Sequence, residues 1–474
     1  MSKTLFDTSA VLYESTCYRL ASDLHRSLFR ARLISQDGHV STTIPVPTTN
    51  IEDATDLAPR RVEADTKPIV PTPKPQRERL LSLDVFRGLT VAGMLLVNDP
   101  GSWGAIYPPL EHAAWNGWTP TDLIFPFFLF IAGVTTWLSL ESRRARGDDN
   151  AAIRHQIIRR GLLIFLFGFL INGFPFFTWT KIDGLADPTF IQRVVDRFYH
   201  WRIMGVLQRI GLAYLCAALL SNGKSVKRQV ATIAVLLYGY WFAMTLFPVP
   251  DSGTLGQLAL GDGPRTMAAW WDRLLLDWTR FGLGNHTWVN SVTWDPEGIF
   301  STIPAIATCM LGVLAGRWIS MKKPLVDRIN ALFAIGALGM MVGLIWNWSF
   351  PINKSIWTSS YVVFCVGMAC VALATVMWVV DIHHVKRWTK PFVVYGLNPM
   401  AAFVGSGVMA RCIYSIFKVT YDGKSIPLQE GMYRTLFLSW LDPVNASLAF
   451  AIMFVVFWYA VLYVLYKKQI FFKV

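Results

Sequence analysis

The chain has 474 residues, of which 53% are hydrophobic and only 16% charged, with 20 Trp, 31 Phe and a formal net charge of +13. Nearly continuous apolar stretches of about 20 residues recur along most of it, the length that crosses a hydrocarbon core of roughly 30 Å, and they exclude an ordinary soluble globular domain. The basic excess sits in short clusters between these stretches, where it serves membrane topology, so nucleic acid is excluded as a partner.

The first 79 residues stand apart from the rest. Leu12 to Ile34 carries a loose amphipathic pattern with Arg19, Arg26, Arg30 and Arg32, which reads as a helix lying on the membrane or as a targeting segment. Ser41 to Gln76 is rich in Pro and Thr and poor in large apolar residues, and such a composition predicts disorder. No secretory apolar core is present, so no cleaved signal peptide is expected. Residues 1–79 are therefore read as a disordered or membrane-surface tail, and 80–474 as one transmembrane domain.

Within that domain the fold expected is an all-α polytopic bundle of about ten spans, at roughly 82–98, 121–140, 157–175, 203–221, 229–248, 299–318, 327–348, 358–380, 391–413 and 446–466. Basic clusters fall in alternate connections: Arg77, Arg79 and Arg87; Arg143 to Arg160; Lys224, Lys227 and Arg228; Lys322, Lys323 and Arg328; Lys386, Arg387 and Lys390; Lys467 and Lys468. That alternation puts both termini inside. The outer connections at 249–298 and 414–445 are long enough to hold re-entrant or short helices. Cys17, Cys216, Cys309, Cys365, Cys370 and Cys412 show no metal-ligand spacing and read as core residues, so no metal is expected.

With this topology the polar residues near the membrane sort by side. Toward the outer ends lie Asn98, His112, Asn116, Asp122, Arg209, Asp295, Glu297 and Lys354, in the segments LEHAAWNGWTPTDLIFPFF, GVLQRIG, WDPEGIFSTIPA and NKSIWTSS. Ionisable groups at membrane depth are costly and usually functional. His112 is the candidate base or nucleophile, since a neutral imidazole accepts a proton near pH 7 and attacks thioesters. Asn98 is either a helix end or an oxyanion donor. Asp122 follows Thr119 and Thr121, either of which can cap the helix it opens. Asp295 and Glu297 precede a helix, where acids belong, or form an acid/base pair. Arg209 lies inside an apolar helix and is expected to pair with a carboxylate. Asp84 and Arg87, three apart, share a helix face and can pair with each other.

Five blocks in order, LDVFRGLTVAGMLLVN, HAAWNGWTPTDLIFPFFLFIAG, GVLQRIGLAYL, DPEGIFSTIPAIAT and WTSSYVVF, resemble the heparan-α-glucosaminide N-acetyltransferase family over most of residues 80–466. The resemblance implies a core of ten helices that transfers acetyl from cytosolic acetyl-CoA, as cosubstrate, to the amino group of a glucosamine outside the cytoplasm. It implies that His112 and Asn98 are the active-site histidine and asparagine, with His112 as acetyl carrier or as base. The chain reads as lacking the cysteine-bearing luminal domain and extra leading helix of the lysosomal enzyme. The expected protein is thus a bacterial-type relative, integral to the inner membrane with its reactive loop outward, acting on an amino sugar or an amino-sugar-containing glycan. Membrane lipid is its surroundings, and the reading allows a homodimer. Asn116, Asp122, Arg209, Asp295, Glu297 and Lys354 are taken as substrate-binding. Arg87, Arg159 and Arg160, toward the inner face, are where CoA phosphates would be met, although positive-inside topology also explains them. The rival class is a secondary transporter for sugars or oligosaccharides, which would favour internal repeats and midplane polar groups. No repeat is evident in this chain.

Overall fold

The computed structural model describes residues 80–179, 181–182, 184–288 and 293–472. The expectations for residues 1–79 lie outside the described residues. Helices occupy all ten regions expected to span: α1 (Leu81–Asn98), α2 (Ile124–Arg146), α3 (Asn150–Gly173), α5 (Val206–Ser221), α6 (Val226–Thr245), α9 (Thr302–Ile319), α10 (Leu325–Trp346), α11 (Ser359–Met377), the pair α12 (Thr389–Leu397) and α13 (Pro399–Arg411), and α15 (Pro443–Lys467). A lipid-facing backbone must satisfy its own hydrogen bonds, and helices do so locally. Eight of these regions are long and apolar enough to cross a membrane. The other two are α5, of 16 residues, and α6, which carries Lys227, Arg228 and several polar-edged aromatics. The chain is thus an all-α polytopic membrane protein.

Helix ends follow local chemistry. The side chains of Asp149, Ser225, Thr358 and Asp442 cap α3, α6, α11 and α15 by accepting from backbone N–H groups in the first turn. Gly147, at φ +89°, ends α2 in the left-handed conformation that glycine adopts without strain.

The ninth region departs from a continuous span over 391–413. It breaks at Asn398, between α12 and α13, because Pro399 has no N–H and its ring excludes the preceding turn. Asn398 is fully buried and uses the break: its Nδ2 donates to Ile470 O (3.0 Å) and its Oδ1 accepts from Phe472 N (3.1 Å), which holds the C-terminal residues. α12 lies backbone to backbone against α1. A Cβ on Gly88 would meet the Phe392 carbonyl at 1.7 Å, and one on Gly396 would meet the Asp84 carbonyl at 2.1 Å.

One core gathers Leu129, Phe130, Met310, Trp357 and Tyr361 from α2, α9 and α11 with its N-terminal approach. A second gathers Val91, Leu95, Tyr395, Phe450 and Phe454 from α1, α12 and α15. The long connections hold short elements, as their length allows. Between α3 and α5 lies α4 (Phe190–Tyr199), and between α6 and α9 lie α7 (Gly256–Ala259) and α8 (Met267–Leu276). After α13, β1 (Lys418–Tyr421) pairs antiparallel with β2 (Lys424–Pro427) around Asp422-Gly423, both at positive φ, and α14 (Leu428–Tyr433) follows.

Candidate active site

Three connections meet above the ends of α1, α2 and α5: the segment joining α1 to α2, the approach to α9, and the turn between α10 and α11. In the first, Pro120–Leu123 forms a 3-10 turn that opens α2, with Thr119 as its cap. Asp122 completes a capping box, because its Oδ2 accepts from the Thr119 N–H (3.1 Å) and also from the Ala113 N–H (3.0 Å). Its other oxygen, Oδ1, lies 2.7 Å from His112 Nδ1. Asp122 is 1% exposed, whereas the His112 side chain is 44% exposed. A buried carboxylate therefore fixes one ring nitrogen and turns Nε2 toward the Lys354 ammonium and the cavity, the geometry of an oriented general base. The Tyr361 hydroxyl donates to the Asp122 backbone carbonyl and pins this turn to α11.

Lys354 comes from the turn between α10 and α11. Its Nζ lies 3.0 Å from His112 Nδ1, 3.3 Å from Nε2 and 3.4 Å from Asp122 Oδ1. Burial pulls the Lys354 ammonium below the usual lysine range, against the opposing pull of Asp122 and Glu297. The turn is held by Asn353, whose Nδ2 donates to Asn116 Oδ1 (3.1 Å) and whose Oδ1 accepts from the Ile356 N–H (3.1 Å). Trp357 follows, fully buried and at φ +50°, a strained conformation for a bulky residue that persists only where surroundings dictate it.

The approach to α9 carries Asp295 and Glu297. Arg202 binds both: Nε donates to Asp295 Oδ2 (2.8 Å), and Nη2 reaches Asp295 Oδ1 (2.5 Å) and Glu297. Burial would raise the Glu297 carboxyl, but the Arg202 and Arg209 guanidiniums outweigh it and hold it below the usual range. Beneath them, the Asp272 carboxylate on α8 accepts the backbone N–H groups of Asp295 and Ile299, each at 3.1 Å. Burial, reinforced by neighbouring Asp295, pushes Asp272 up to about 8.

A cavity of about 180 Å³ joins these parts. Its polar end is formed by Asn98, His112, Glu297 and Lys354. Its apolar end runs between α1, α2, α5 and α13, along Met94, Phe125, Phe128, Leu207, Ile210 and Phe403. Asn98 is the last residue of α1 and exposed, and among the described residues its side chain makes no hydrogen bond. Asn98 and His112 thus share one cavity without touching. The cavity thus has a polar head and a long apolar slot.

The remaining candidates sort as follows. Asn116 contacts Asn353 at the rim. Arg209 is fully buried but, among the described residues, has no carboxylate within ion-pair distance, contrary to the pairing expected. Its Nη2 contacts Ser301 and Gly298 O, and its guanidinium lies 5.0 Å from the centre of the Trp357 ring. Arg202, one helix entrance earlier, has taken the carboxylates instead. Arg87 pairs with Asp84, as three-residue spacing predicts. Arg160 lies 5.0 Å over the Tyr214 ring, and Arg159 is exposed on α3. None of these three lines the His112 cavity. The sequence reading missed Arg202, Asn353 and Asp272. Arg202 sits in YHWRIMG just before the span, where a lone arginine reads as an ordinary flank.

The catalytic region described as heparan-alpha-glucosaminide N-acetyltransferase matches residues 79–344 of this chain, more than half its length. Two curated relatives are both called heparan-alpha-glucosaminide N-acetyltransferase. The one from Mus musculus is 28% identical over 463 residues, covering 87% of this chain and 63% of its own. The one from Homo sapiens is 29% identical over 445 residues, covering 84% and 60%. The chain therefore spans less than two thirds of the length of these relatives. The matched region contains His112, Asn98, Asp122, Arg202, Asp295 and Glu297, and ends ten residues short of Lys354. The chain belongs to the heparan-alpha-glucosaminide N-acetyltransferase family.

Proposed function

We propose that the chain transfers an acetyl group from cytosolic acetyl-CoA to the amine of an amino sugar at the outer face of the membrane, with His112 as base or acetyl carrier. The observation that carries this reading is the Asp122–His112 contact of 2.7 Å at the mouth of a cavity shared with Asn98. The thioester is already activated, so the protein must supply a base, an oxyanion donor and alignment. With Asp122 accepting from Nδ1–H, Nε2 takes the proton released as the acceptor nitrogen attacks the thioester carbonyl. The same proton then goes to the departing CoA sulfur. If His112 carries the acetyl group, Nε2 attacks first and the amine attacks the acyl-imidazole second. Asn98 is the oxyanion donor in both versions, and Lys354, beside the ring, adds positive charge where the oxyanion forms. CoA phosphates do not cross lipid, so the donor enters from the inner side, where Arg87, Arg159 and Arg160 supply cations, and its pantetheine arm runs along α1 toward His112.

The test uses the purified full chain with acetyl-labelled acetyl-CoA. Rapid quenching without acceptor should trap label on wild-type protein but not on His112→Ala if the histidine carries the acetyl group. If it serves as base, label should appear only in the product with glucosamine. Absence of acetylated product for every amino sugar tried would overturn the reading.

A further inference from the structure

A second chamber of about 270 Å³ adjoins the first, sharing Asn98 and Met94 on one wall and Leu207 and Phe403 on the other. Its polar lining is unlike that of the His112 cavity, and its groups are poorly satisfied. Gln208 is 1% exposed, yet its Nε2 has no hydrogen-bond partner among the described residues. Its Oε1 occupies room that exists only because residues 168 and 205 are glycines, whose added Cβ atoms would approach it to 2.5 and 3.0 Å. Asn172 donates through Nδ2 to the Arg202 and Met204 carbonyls, and its Oδ1 receives no donor among the described residues. Arg411 hydrogen-bonds only the Gly407 carbonyl of its own helix and has no acidic partner within ion-pair distance among the described residues. Asp99, 7% exposed, likewise has no side-chain hydrogen bond there. A buried amide left unpaired is destabilising, and a buried carboxylate more so, unless a ligand completes them.

We propose that this second chamber is the acceptor subsite: it holds the ring of an amino sugar, with hydroxyls on Gln208, Asn172 and Arg411 and the ammonium on Asp99, and presents the nitrogen past Asn98 to His112. The inference rests on the acyl-transfer reading and extends it to residues outside the His112 cavity. Donors and acceptors of both kinds line the chamber, as a polyhydroxylated ring requires, and its one uncompensated acid adjoins the asparagine at the junction. Burial pushes the Asp99 carboxyl up to about 7, so it can take a proton from an ammonium group and release it near neutrality. The steps balance. One ammonium proton goes to Asp99 and later to solvent, and the neutral nitrogen forms the N–C bond as the C–S bond breaks. The second proton passes through His112 to the CoA sulfur.

Steady-state kinetics of the full chain with glucosamine and acetyl-CoA separate the two sites. Arg411→Met and Gln208→Leu should each raise the glucosamine KM by about tenfold, the cost of one lost polar contact, while the acetyl-CoA KM stays within about twofold. Asp99→Asn should lower kcat/KM for glucosamine and leave acetyl-CoA affinity unchanged. Folded Arg411→Met with an unaltered glucosamine KM overturns the subsite, and this partly exposed position decides the matter if Gln208→Leu fails to fold. If wild-type protein acetylates no amine, the acyl-transfer reading falls, and saturation-transfer NMR with glucosamine still reads the chamber. Signals in wild type that vanish in Arg411→Met support the subsite, and equal signals, or none in wild type, refute it.

Discussion

The Asp122→Asn substitution tests the reaction geometry most sharply, because it changes charge and proton position while keeping shape. Asp122 Oδ2 accepts two backbone N–H groups, from Ala113 and Thr119, and Oδ1 faces His112 Nδ1 at 2.7 Å. An asparagine keeps the two backbone bonds only by placing its carbonyl oxygen where Oδ2 lies. Its NH2 group then faces Nδ1, which must become the acceptor, and the ring proton moves to Nε2. A base protonated at the attacking nitrogen is the wrong tautomer. Tautomer loss and general-base loss each suppress turnover by about 10²–10⁴, or roughly 2.7–5.4 kcal/mol of transition-state stabilisation. The backbone bonds survive, so the turn and the start of α2 should persist, and gel-filtration profile and thermal midpoint should stay near wild type. The assay is label transfer from acetyl-CoA to glucosamine at saturating donor. Turnover within about threefold of wild type in folded Asp122→Asn would refute the oriented-base reasoning, since no effect of tautomer on a base of this kind is that small.

Further outcomes follow from the same geometry. His112→Ala should remove at least about 10³ of the transfer rate and leave the protein folded, because the half-exposed ring leaves no core cavity; label transfer and a melting curve check both. Asn98→Ala should cost about 10²–10³ in kcat, the usual loss of one oxyanion donor, with little change in the acetyl-CoA KM. A chain starting at Leu80 should insert and turn over as the full protein does if residues 1–79 form the tail their composition predicts; its specific activity in detergent is the measure. Cysteines placed at Ser102 and Asp148 should react with a membrane-impermeant maleimide from opposite sides, Ser102 from outside, and labelling of both from one side would break the topology.

Much of the fold was legible because the membrane simplifies the problem. Apolar length fixes where helices must lie, so helices occupy all ten regions, with ends up to seven residues from those expected. The break at Asn398-Pro399 was written in the sequence as a proline inside an apolar run, but what the break holds, the chain at Ile470 and Phe472, lies 72 and 74 residues away. The same division runs through the site. His112, Asp122 and Thr119 lie within eleven residues, and TPTDL announced a cap, so local chemistry brought their pairing within reach. Lys354 reaches the imidazole from 242 residues away, and only tertiary structure brings it there. Arg202 and Arg209 invert the expectation. The more deeply embedded arginine is the natural candidate to claim the carboxylates, yet Arg202, at the helix entrance, has the reach to clasp both Asp295 and Glu297.

That inversion explains why a fully buried arginine is tolerated here. Arg209 touches three of the elements that build the site: it rises from α5, contacts Ser301 and Gly298 at the approach to α9, and lies against Trp357 in the turn between α10 and α11. Asp295 and Glu297 supply negative charge nearby without touching it, while Arg202 fixes their positions. A desolvated cation over a tryptophan face is worth about 2 kcal/mol, too little alone to offset the cost of burying the charge. The remaining stabilisation must come from the anionic pair and the two oxygen contacts together. Removing Arg209 would therefore release the strained Trp357 backbone and the Glu297 turn at once. These are the segments that place Lys354 beside His112 and Glu297 at the mouth of the cavity, so the buried cation sets the site's shape without entering its chemistry.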